Sequence, residues 1–119
     1  MAKERAVLNL GYDFEFYIMD KNAAPLPINL LIHQKMNDPQ LSLELNKFNL
    51  EYNFTPVEQN LSPFSQMEAQ MNMALERLTG LAEQFDARVL PIGILPTLQA
   101  NDLGIDAMHI KTINICEKL

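Results

Sequence analysis

Residues 48 to 56 read Phe-Asn-Leu-Glu-Tyr-Asn-Phe-Thr-Pro. Phe48, Leu50, Tyr52 and Phe54 alternate with Asn49, Glu51, Asn53 and Thr55. Successive side chains of a strand point to opposite faces, so this stretch has one apolar face for a core and one polar face. The polar face presents an amide, a carboxylate, an amide and a hydroxyl in a row. Pro56 cannot donate to a ladder and ends the strand. Seen alone, such a face is the solvated side of an antiparallel strand.

A second stretch near the N-terminus has the same habit. From Tyr12 onward, Tyr12, Phe14, Phe16 and Ile18 take one face, and Asp13, Glu15 and Tyr17 the other. Aromatic and β-branched residues favour the extended chain here. Gly11, just before the two carboxylates, suggests a bulge or a close backbone approach. Asp20-Lys21-Asn22-Ala23 reads as a turn. Ile28, Leu31, Ile32 and Met36 fall at helical spacing and predict a short helix that stops before Pro39. Leu41, Leu43 and Leu45 alternate in the opposite phase to Phe48 and its set. The flip across Asn46-Lys47 requires a tight hairpin or a bulge, and the weak Asn-Lys turn signal favours a bulged or bent strand.

Phe64, Met67, Met71, Ala74, Leu75, Leu78, Leu81, Ala82 and Phe85 form an apolar stripe, predicting a long amphipathic helix over about 64–85. Ser65 and Glu68 have capping-box spacing, and Ser62 followed by Pro63 is an alternative start. Residues 88 to 96 are apolar on both faces, as in a central strand, with Pro91 demanding a bulge. The expected fold class is therefore α+β: an antiparallel sheet with both helices on one face, in the order β-α-β-β-α-β. Ile110, Ile113, Ile115 and Leu119 supply apolar positions for a terminal helix or strand.

Composition narrows the function classes. A chain of 119 residues supports one compact core. Its 15 acidic and 9 basic residues leave a net charge of −6 with no basic cluster, which argues against nucleic acid and anionic membranes as partners. The one cysteine, Cys116, makes no internal disulfide, and no stretch has the apolar middle of a signal peptide, so a cytoplasmic location is expected. His33, His109 and Cys116 lack partners at metal-ligand or catalytic spacing, and no glycine-rich phosphate loop is present.

The ordered set Gly11-Tyr12-Asp13-Phe14-Glu15-Phe16, then residues 48 to 56, a helix opened by Leu61-Ser62 with Met67-Glu68, then Gly93-Ile94-Leu95-Pro96-Thr97-Leu98 and Asp102-Leu103-Gly104 with Met108 resembles the N-terminal part of the glutamate–cysteine ligase and carboxylate–amine ligase superfamily. The resemblance spans Gly11 to Met108 and implies a glutamine-synthetase-like antiparallel sheet whose concave face holds Mg²⁺ and ATP. Such enzymes activate a carboxylate as an acyl phosphate that an amine then attacks. Asp13, Glu15 and Glu51 match the family's metal-binding carboxylates, with Asp at position 13 where Glu is usual. Hard oxygen ligands on neighbouring strands suit Mg²⁺. The family's chains are several times longer, so residues 1–119 are expected to be one α+β domain, the N-terminal part of a longer ligase-like fold and inactive alone. Its partners would be a nucleotide and small amino-acid substrates. The alternative is a non-catalytic α+β domain that binds a partner or itself through an exposed sheet edge.

Overall fold

The computed structural model describes residues 6–109. The expectations for residues 110–119, including Cys116, lie outside this range. Four strands form one antiparallel sheet: β2 (Asp13–Met19), β3 (Leu41–Leu43), β4 (Asn49–Asn53) and β6 (Arg88–Leu90), in the spatial order β3-β4-β2-β6. Helix α1 (Asn29–Met36) links β2 to β3, and helix α2 (Pro63–Glu83) links β4 to β6. The predicted β-α-β-β-α-β order holds, and the connectivity is that of a split β-α-β arrangement, each crossover passing over one intervening strand. A two-stranded ribbon, β1 (Asn9–Leu10) with β5 (Val57–Glu58), extends the β2–β4 pair.

Alternation sets the layers. Phe16, Ile18, Leu50 and Tyr52 pack with Ile32 of α1 and with Ala74, Leu78 and Ala82 of α2. The three α2 residues recur every fourth position and share one line of the helix. The two alanines let the helix backbone lie close to the sheet, and Met71, Leu75 and Leu81 flank the line, half-buried. Each large apolar side chain in this layer contributes roughly 1.5–3 kcal/mol by leaving water. Phe64, in the first turn of α2, departs from the predicted stripe and is 78% exposed.

Several local expectations are corrected. Residues 41 to 53 do not form one bent strand: β3 and β4 are a hairpin, with Leu43 opposite Leu50 and Ser42 opposite Glu51. The connection is held by tertiary bonds and needs no strong turn signal of its own. Helix α2 starts at Pro63 after Ser62 rather than at the Ser65 capping box. The bulge near Gly11 belongs to the opposite strand. Asp13 pairs with Asn53 but Leu10 with Val57, so three residues advance on one strand against four on the other. The extra residue falls at Phe54-Thr55-Pro56, where proline has no donor for the ladder.

Strand β6 is an edge strand and stops before Pro91. It is apolar on both faces because both are covered. Val89 meets the helix layer, while Leu90 joins Tyr17, Phe48, Ile92, Leu95, Leu98 and Ala107 in a second cluster on the other side of the sheet.

Asn29 ties the layers together. It is fully buried at the start of α1. Its Nδ2 donates to the carbonyls of Asn46 (2.8 Å) and Asn49 (3.0 Å), and its backbone N–H donates to Lys47 O (3.0 Å). Its Oδ1 accepts from His109 Nε2 at 3.0 Å, since a carboxamide oxygen has no proton to give. The hairpin loop is thereby pinned to the helix. Asn29→Ala should lower the unfolding free energy by about 2–3 kcal/mol in urea titration, because it strands the buried Asn49 carbonyl and the half-buried Asn46 carbonyl. An unchanged midpoint would show that the loop is held by other contacts.

Candidate functional site

The sheet face opposite the helices carries the predicted carboxylates. β2 places Asp13, Glu15 and Tyr17 there, and β4 places Asn49, Glu51 and Asn53. The register sets Glu15 directly opposite Glu51 and Asp13 opposite Asn53. Like charges in directly opposed positions are unfavourable in a sheet. Asp13, Glu15 and Glu51, together with Phe14, Ile92 and Gly93, line one open depression of about 340 Å³. Asp13 and Glu15 are exposed, and Glu51 is half-buried.

A fourth carboxylate joins them. The Glu44 and Asp13 carboxyls lie at hydrogen-bonding range of Glu51, and with partial burial they push its pKa up to about 7. Burial, Glu15 and Glu44 likewise raise Tyr17. Glu44 was not among the residues singled out from sequence. Extending the β3–β4 register from Leu43–Leu50 by one pair sets it opposite Asn49, on the same side as Ser42 and Glu51. Hairpin parity is the sequence signal for Glu44, and it is visible only when residues 41 to 53 are taken as two strands.

Asn49 lies within this face and is 4% exposed. Its Nδ2 donates to Glu15 Oε2 at 3.4 Å. Its Oδ1 is buried and has no hydrogen-bond partner among the described residues. Among the same residues, no three His, Cys, Asp or Glu side chains form a ready cage for a metal ion.

A contrasting polar network lies on the helix side. Tyr52 OH donates to Asp38 Oδ2 at 2.7 Å, and Arg77 Nη1 donates to the same oxygen at 2.9 Å. Burial raises Asp38, but hydrogen bonds from Tyr52, the Gln40 N–H and Arg77 outweigh it and hold the carboxyl below its usual range. Burial and the bond to Asp38 push Tyr52 up to about 12. Every charge in this network has a partner, so it reads as structural support. The acidic face does not balance in this way.

Comparison with family models, with curated proteins and with solved structures returned no match to this chain.

Glu51 makes stability depend on pH. It ionises near 4.5 when unexposed to its neighbours and near 7 in the fold. Between these values the folded chain holds the extra proton, so its contribution is full below about 4.5 and is lost as pH rises through about 7. Glu51→Gln should remove this slope and, at pH 8, raise stability by on the order of 1 kcal/mol after solvent screening. Thermal melts from pH 5 to 8 read both effects, and parallel curves for the two proteins would refute the clustering.

Proposed function

We propose that this chain is the N-terminal portion of an ATP- and Mg²⁺-dependent carboxylate–amine ligase of the glutamate–cysteine ligase kind, contributing the wall of the site that faces the cation. The observation that carries the reading is the convergence of Asp13, Glu15 and Glu51, from two adjacent strands, on one open depression. The donor set supports it. Mg²⁺ prefers hard oxygen ligands and is commonly held by one or two carboxylates, with water and substrate phosphates filling the rest of its shell. Among the described residues no three His, Cys, Asp or Glu side chains group as a cage, so an ion on this face would take the rest of its shell from water and substrate.

When bound, the ion neutralises phosphate charge that develops during carboxylate activation. The chain's own part is narrower. Glu51, Glu44 and Asp13 gather negative charge that a cation relieves, and Asn49 orients Glu15. The described lining of the depression has no Lys or Arg to hold phosphates, and phosphoryl transfer relies on such groups. The isolated chain should therefore bind Mn²⁺ or Mg²⁺ weakly through this face and turn over no ATP with glutamate and an amine. Calorimetric titration with Mn²⁺, with Glu51→Gln as control, tests the first half, and equal heats from both proteins would exclude this face. ATP consumption dependent on glutamate and amine would overturn the second.

A second reading has one observation in its favour. β3 is one of the two edge strands of the sheet, with Leu43 at its end and Leu45 just beyond it exposed. Open edges template pairing with another chain, so self-association through β3 is the non-catalytic alternative. Light scattering should then give a mass that rises with concentration and returns to one chain in Leu43→Lys. A constant single-chain mass for the parent protein excludes it.

A further inference from the structure

We propose that the free half of β2 is a docking edge for an extended peptide segment of a different chain, one that alternates basic and apolar residues. The inference stands apart from the cation reading and starts from an interrupted ladder. β6 pairs with Tyr17, Ile18 and Met19 and stops at Leu90, whereas β2 runs back to Asp13. Phe54 N–H donates to Tyr12 O at 3.1 Å, and Ile18 N–H donates to Phe48 O at 2.7 Å. The even-numbered residues from Tyr12 to Ile18 therefore turn their backbone groups toward β4, and the odd-numbered ones toward β6. Tyr17 and Met19 find β6 there. Asp13 and Glu15 find no backbone partner on that side among the described residues, because the β6 ladder ends before Pro91, which has no N–H to continue it.

The surroundings suit an incoming strand. Ile92 and Gly93 line the same depression of about 340 Å³ as Asp13, Phe14 and Glu15, so open space rather than packed chain borders this edge. On the helix side, Ile18 stands opposite Val89 of β6 and is fully buried, whereas Phe14 has no neighbour in that position and is 37% exposed. Side chains of an added strand alternate between the two faces. The one opposite Phe14 covers an aromatic ring and is best apolar. Those opposite Asp13 and Glu15 point to the acidic face, where Glu51 also stands, and are best Lys or Arg. In such strand addition the main-chain bonds give affinity and the alternate side chains give specificity. This chain carries a net charge of −6 and no basic cluster, so the segment comes from a different chain rather than a second copy.

The probe is the blocked pentapeptide acetyl-Lys-Val-Lys-Val-Lys-amide, titrated into the full chain and followed by amide NMR shifts and hydrogen exchange. The Asp13 and Glu15 amides should shift and exchange more slowly. With lysines opposite Asp13 and Glu15, the lysine N–H groups face β2 and the valine N–H groups face away. N-methylation of the central lysine should therefore weaken binding about 2–10-fold, and N-methylation of a valine should leave it unchanged. The peptide with glutamates in place of the lysines should not bind. Equal affinity of the two N-methylated peptides overturns strand addition and leaves only charge attraction. Shifts centred on Leu41 and Leu43 place the peptide on the β3 edge and overturn the assignment to β2. No shift at Asp13 or Glu15 with millimolar peptide overturns the proposal outright.

Discussion

Burial of Phe16 and Ile18 on β2 and of Leu50 and Tyr52 on β4 locks the two central strands into one register. A slip of one residue would turn all four toward the opposite face, so the register is among the most strongly specified features of the fold. The other face inherits it. Glu15 must stand opposite Glu51, and Asp13 must stand within reach of Glu51, whatever repulsion results. Magnitudes decide the contest. Four large side chains leaving water supply of the order of 10 kcal/mol, whereas an uncompensated buried polar oxygen costs about 1–3 kcal/mol. The apolar layer wins by a wide margin and holds the acids together.

Two buried asparagines carry that constraint beyond the central pair. Asn29 anchors the loop from Asn46 to Asn49 onto α1, and Ile18 N–H donates to Phe48 O at 2.7 Å from the sheet side. The loop therefore enters β4 at one angle, and the phase of the strand is set before its first ladder bond. This entry also turns Phe48 away from Leu50, to pack with Tyr17 and Leu95. Asn49 then continues the chain of contacts through its side chain to Glu15. A helix start, a hairpin loop and the acidic face are thus joined by two carboxamides.

The legible parts of the fold were those governed by periodicity. Alternation located β2 and β4, and the fourth-residue line of Ala74, Leu78 and Ala82 located the inner face of α2. What escaped was set by tertiary contacts. The hairpin loop from Glu44 to Phe48 carries a weak local turn signal and is fixed by Asn29, a residue distant in sequence. With the hairpin missed, Glu44 was missed too, since its place opposite Asn49 follows only from the pairing of Leu43 with Leu50. The apolar run from Arg88 reads as a central strand with a bulge at Pro91, but β6 is a three-residue edge strand that ends before Pro91, and its second apolar face is explained by cover from the irregular segment from Ile92 to Ala107. Asp13, Glu15 and Glu51 were legible as residues sharing a face. That Glu51 is the most perturbed of the cluster was not, because it depends on Glu44 and on partial burial.

The same chain shows how polar groups look when the fold itself satisfies them. Around Asp38, a tyrosine, an arginine and a backbone amide converge, and the carboxyl is stabilised in its charged form. Around Glu51, the nearest groups are other acids, and the charged form is disfavoured. Both environments are built from side chains held by the same sheet, so the difference does not arise from any general looseness of packing. A fold that sought only stability would replace Glu51 with an uncharged residue and Asn49 with an apolar one without disturbing the register, since neither contributes to the buried layer that sets it. Retaining Glu51 leaves beside an open depression a concentration of negative charge that its neighbours on the face do not offset.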